Sequence, residues 1–169
     1  ASVHLAVQLY GWCSVPMIAL LLRVYMASPR TGRLVPLAID AWSGALAFGT
    51  VSWLAGVNSG KPFLEWSGAP RWLFAAAMWL LALALAGELQ AEWRSAERST
   101  LSLAWRAKVV FLAALALVPL VLALSASRSV YPAINPHSGG ATGWSLLGST
   151  LGMVVIFIAA PIAIGAMRK

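Results

Sequence analysis

Charge is scarce in this chain of 169 residues: only 10% of its side chains are Asp, Glu, Lys or Arg, against about a quarter in soluble domains. With 12 basic and 5 acidic residues, there is too little polar surface to cover a water-borne globule of this size. A single cysteine, Cys13, excludes a disulfide framework, a CxxC redox pair and a multi-cysteine metal site. Histidine is limited to two residues, His4 and His137. HExxH, the GxSxG elbow, the P-loop and the Rossmann glycine pattern are all missing, so hydrolase, metalloprotease and nucleotide-driven chemistries lack their required parts. Self-contained catalysis is not expected, and no internal repeat is visible.

What remains is hydrocarbon. Hydrophobic side chains make up 60% of the sequence and the mean hydropathy is +0.81, which makes the bilayer the solvent. About 20 apolar residues cross the roughly 30 Å of a bilayer interior. Five such stretches are present: Ser2 to Val24, Leu34 to Val57, Arg71 to Leu89, Lys108 to Ser125 and Gly143 to Ala166. None shows the alternation of a barrel strand, and lipid tolerates no unpaired backbone, so each is read as a helix. The expectation is one all-α membrane domain over residues 1–169, an integral bundle of five transmembrane helices. The first span carries no convincing cleavage site and is read as retained.

The breaks are Ser28 to Gly32, Asn58 to Pro62 and Tyr131 to Gly140, all rich in turn formers. The break from Glu88 to Lys108 is long and charged, which suggests helix ends reaching into water or a short interfacial helix. Nine basic residues (Arg23, Arg30, Arg33, Arg94, Arg98, Arg106, Lys108, Arg168 and Lys169) fall on the side opposite the N-terminus, against three (Lys61, Arg71 and Arg128) on its own side. That bias places the N-terminus outside and the C-terminus in the cytoplasm of a bacterial inner (plasma) membrane. It also explains the net charge of +7 without a nucleic-acid partner. Trp66, Trp72 and Trp144 then fall at the outer interface, and Trp93 and Trp105 at the inner one.

Stripes of small residues mark faces that pack on neighbours. One runs through Ala41, Ala45, Gly49, Ser52 and Gly56, and Gly148 and Gly152 form a GxxxG pair. Pro16, Pro119 and Pro161 lie inside spans and should kink them, freeing carbonyls that neighbours must satisfy.

Few residues could carry chemistry. His4 lies about one turn inside the first span, with Gln8 and Gly11 following at i+4 and i+7. A haem-binding helix can use such a pattern, imidazole for the iron and a missing side chain to admit the macrocycle; an interfacial histidine bonded to water or a carbonyl is the plainer alternative. His137, in the turn-rich Asn135 to Gly140, could fold back as a second axial ligand, bind a quinone carbonyl or face solvent. Asp40 is the one acid clearly within a span; it either marks a proton or ion path or reaches back to the interface. Glu88 and Glu92 are expected to pair with nearby arginines.

The segment His4-Leu-Ala-Val-Gln-Leu-Tyr-Gly11-Trp12 resembles a haem-ligating helix of the NnrS-like and C-type haem-copper oxidase-like membrane proteins, in which a histidine near the outer end precedes a glycine-aromatic pair. The resemblance covers one helix. It implies a reduced relative: Ala6 stands where NnrS-like proteins carry another histidine, and the further histidines of a haem-copper centre are missing.

The functional expectation is a small accessory or cofactor-carrying subunit of a bacterial respiratory or photosynthetic electron-transfer complex. It would pack against other membrane subunits and hold a b-type haem or a quinone near the outer face through His4, Gln8 and Gly11, joined by His137. Two alternatives stand beside it. One is a transporter or channel component using Asp40 and the kinks at Pro16 and Pro119. The other is a structural scaffold whose outer loops, at Trp66 and from Tyr131 to Trp144, dock a periplasmic electron carrier.

Overall fold

The computed structural model describes residues 2–26, 33–61, 64–95, 102–126 and 162–164. The first apolar run folds as a modified rod made of α1 (Ser2–Val7), a π-helical turn (Gln8–Cys13) and α2 (Ser14–Tyr25). It is followed by α3 (Leu34–Leu54), α4 (Gly68–Ser95) and α5 (Leu103–Ser125). Among the described residues 87% are helical and none is in a strand, so this is an all-α fold. Four segments are long and apolar enough to cross a membrane: Val3–Tyr25, Leu34–Leu54, Gly68–Ser95 and Leu103–Leu124. The expected fifth span lies outside the described residues except for 162–164, where Ile164 is buried in the hydrophobic core.

The helix boundaries follow from local chemistry. At the end of α3, the Gly56 N–H donates to the Trp53 carbonyl at 3.0 Å and the Val57 N–H to the Ser52 carbonyl at 2.9 Å, the paired bonds of a Schellman cap. Gly56 adopts φ +81°, which that cap requires and which a side chain would oppose. Gly56 therefore ends the helix, and it is exposed rather than part of the packing stripe on which it was expected. At the start of α5, the Ser102 hydroxyl accepts the Trp105 N–H at 3.2 Å and so caps the first turn. The 28 residues of α4 at about 1.5 Å each span roughly 42 Å, longer than the hydrocarbon, so its charged end at Glu92 to Ser95 reaches beyond the apolar layer.

The π-helical turn lies just before Pro16, which has no N–H to give and whose ring crowds the carbonyl four residues earlier. Two side chains serve carbonyls in the widened turn. The Ser14 hydroxyl donates to the Leu9 carbonyl at 2.6 Å, and the Trp42 indole, from α3, donates to the Tyr10 carbonyl at 3.0 Å. The expected kink is thus satisfied partly from within its own span and partly by a neighbour.

α4 is the central rod, packed along α3 on one side and α5 on the other. It buries Phe74, Ala75, Ala77, Met78, Leu81, Ala82, Ala84, Leu85 and Leu89 on one half of its circumference and leaves Trp72, Leu73, Trp79 and Leu83 exposed on the other. Likewise, α3 leaves Leu37, Phe48, Val51 and Leu54 exposed, as a rod facing lipid would.

Candidate functional site

The connector between α3 and α4 folds back into the bundle. The Asn58 side-chain oxygen accepts the Gly60 N–H at 3.0 Å, and the Ser59 hydroxyl donates to the Leu64 carbonyl at 2.6 Å while accepting the Lys61 N–H at 3.1 Å. The Ser59 N–H closes the loop on the Glu65 carbonyl at 3.2 Å. These bonds satisfy the backbone of a short excursion and turn Leu64, Glu65 and Trp66 inward, where they are 1%, 4% and 0% exposed.

Trp66 is the centre of an aromatic cluster drawn from the first span, α3, the connector and α4. Its ring stacks on Phe74 with centroids 4.1 Å apart and planes 10° from parallel. Tyr10 meets it edge-on at 5.2 Å and Trp53 at 4.7 Å, and Trp42 meets Phe74 at 4.6 Å. The opening that admits Trp66 is Gly49: a Cβ there would lie 2.5 Å from Trp66 Cζ3. Small residues on α3 were expected to mark a face that packs on a neighbour, and at Gly49 what fills the space is an indole from the connector. The Trp66 side chain is thus turned into the bundle, whereas a residue of an aromatic belt or a docking loop would face outward. The connector's hydrogen bonds aim it into the core.

Two polar atoms in this cluster find no hydrogen-bond partner, Glu65 Oε2 and Trp66 Nε1. The Glu65 main chain is well held, its carbonyl also accepting the Trp53 indole N–H at 3.0 Å. Burial pushes its carboxyl above the ordinary carboxylate range, partly offset by the Gly60 N–H. A buried carboxyl with one oxygen unengaged can hold a proton or accept a donor from a small polar guest. Sequence reasoning missed Glu65; an acid and a tryptophan five and six residues after the glycine of an Asn-Ser-Gly turn were the only signal.

The expected cofactor residues are arranged differently. His4 and Gln8 are exposed on the first span, and Trp12, one further turn along, is 83% exposed. Gly11 faces α3, where an added Cβ would stand 3.2 Å from Leu46 Cδ2. On that side the space left by its missing side chain is taken by Leu46, while an open groove lined by Gly11, Trp12, Val15 and Pro16 runs along the first span; His4 and Gln8 are not among its lining residues. His137, Gly148 and Gly152 lie outside the described residues. Among the described residues no three His, Cys, Asp or Glu side chains gather as a metal site.

At the opposite end of the bundle Asp40 is exposed on α3. Glu92, expected to pair with an arginine, takes Lys108 instead: Lys108 Nζ lies 2.5 Å from Glu92 Oε2, and the lysine side chain is fully buried. The Tyr25 hydroxyl donates to the Lys108 carbonyl at 2.7 Å, so α2, α4 and α5 are tied together there. Trp93 and Trp105 lie beside this tie with ring centroids 4.9 Å apart. Comparison of the chain with protein-family models, curated proteins and solved structures finds no match.

Proposed function

We propose that this chain is a small multi-pass accessory subunit of a bacterial electron-transfer complex in the inner membrane, with its N-terminus outside. It docks against larger membrane subunits through the face of its first span that bears His4, Gln8 and Trp12. The observation that carries this reading is the exposure of His4 and Gln8 on an otherwise apolar rod. A glutamine amide facing lipid tails lacks partners for its donors and acceptor, and a neighbouring helix supplies them.

The same face gives the cofactor reading its form. With the space beside Gly11 taken by Leu46, a haem or quinone is not enclosed by the described residues of this chain but shared at the contact with a neighbour. His4 would offer an axial imidazole to a haem or a hydrogen bond to a quinone carbonyl, and Gln8 an amide beside it. The resemblance of the His4 to Trp12 segment to haem-ligating helices supports placing the complex in electron transfer.

The test is gentle detergent extraction from native membranes, identification of co-purifying chains and an absorption spectrum, repeated for Gln8→Leu and His4→Ala. Companion subunits that are lost in Gln8→Leu, and a Soret band lost in His4→Ala, are the expected results. A colourless complex that keeps its companions removes the haem. A chain that purifies alone and colourless removes the whole reading.

A further inference from the structure

The side of the bundle where α4 meets α5 has an open groove of about 490 Å³, lined by Trp79, Ala82, Leu83, Ala86, Leu112 and Ala116. Its wall is almost wholly apolar, and the Trp79 indole N–H is engaged by the Ala116 carbonyl at 3.0 Å. On α4 the lining row continues by steps of three and four through Gln90 to Trp93 and Arg94; on α5 it runs back from Leu112 through Val109 to Trp105. The contact between Trp93 and Trp105 shows that the two rows meet at that end.

Beyond the groove, at the end where the two rows meet in Trp93 and Trp105, the next residues in sequence are Arg94 and Arg106, both exposed. The nearest acid on α4, Glu92, is held by the buried Lys108. From Trp79 to Arg94 is 15 residues, or roughly 22 Å at about 1.5 Å per residue, which matches one leaflet of hydrocarbon plus the head-group level.

We propose that this groove binds an anionic phospholipid, with acyl chains along the Trp79 to Ala116 wall and the phosphate between Arg94 and Arg106. Two cations meet the charge, and the apolar wall replaces neighbouring lipid. An electroneutral lipid would leave the guanidinium pair in excess, so the charge selects a phosphatidylglycerol-type or cardiolipin-type head group. The inference rests on neither the haem nor the partner subunits.

The protein is reconstituted in nanodiscs of equimolar phosphatidylglycerol and phosphatidylethanolamine, released into mild detergent, and its retained lipids are identified by native mass spectrometry. Selective retention of phosphatidylglycerol is expected, falling about fivefold for each of Arg94→Gln and Arg106→Gln. Arg23→Gln and Arg33→Gln, at the same end of the bundle but away from the groove, leave it unchanged. Equal retention of the two lipids, or equal losses in all four arginine variants, overturns the proposal.

Discussion

Replacing Gly49 with alanine puts a methyl group where the structure has room only for a hydrogen. The new Cβ would lie 2.5 Å from Trp66 Cζ3, 2.9 Å from Trp66 Cη2 and 3.3 Å from Trp53 Cζ2. A flexible side chain could swing aside, but Trp66 is fully buried, stacked on Phe74 and flanked by Tyr10 and Trp53. Overpacking of this kind costs about 1–3 kcal/mol, and the three aromatic contacts of Trp66, at about 0.5–1.5 kcal/mol each, set the scale of what is disturbed. Alanine also gains up to about 1 kcal/mol over glycine within a helix, which masks part of the loss. The informative quantity is therefore the difference from Gly44→Ala and Gly87→Ala, where an added Cβ meets nothing within 4 Å. Gly49→Ala should be less stable than either by about 1–3 kcal/mol. SDS titration in mixed micelles, followed by tryptophan fluorescence and near-ultraviolet circular dichroism, measures it. If all three variants denature together, Trp66 does not occupy the space left by Gly49 and the aromatic core described above is wrong.

Two other outcomes follow from the charged groups. Because burial raises the Glu65 carboxyl above its unfolded value, the fold favours its protonated form; that stability is complete below the ordinary carboxylate range and is lost as pH rises through the raised value. Denaturation measured from about pH 4 to about pH 8 should show this decline in the parent chain and a flatter profile in Glu65→Gln, and identical slopes would refute it. At the other end of the bundle, Glu92→Ala leaves the buried Lys108 ammonium without its carboxylate and should cost about 1–3 kcal/mol, a figure lowered because Glu92 is 25% exposed. Lys108→Met, which removes the buried charge itself, should cost less, and the reverse ranking in the same assay would show that the pair is not what holds that end.

Four of the five expected helices were legible because a long apolar run favours a helix long enough to cross a membrane, and the start of α3 at Leu34 coincides with its apolar run. Their ends were less so. The reach of α4 to Ser95 is set by helix-forming charged residues that hydropathy counts as a break. Small residues on α3 correctly marked its buried side at Ala45 and Gly49, but spacing could not say whether a backbone or an indole fills the gap. The inward turn of Glu65 and Trp66 was hidden because it depends on Ser59 and Asn58 side chains bonding particular backbone groups, and a loop has no periodicity to read. His4 and Gln8 were correctly seen to share a face, but a helical wheel cannot tell whether that face looks inward.

Because the residue that seals the aromatic core sits on a connector rather than on a rod, the core is not the property of any one helix. Trp66 meets Phe74 on α4 and fills the gap at Gly49 on α3 only when the hairpin of the two is closed, so the length and hydrogen bonding of the connector enter the packing as much as the helix faces do.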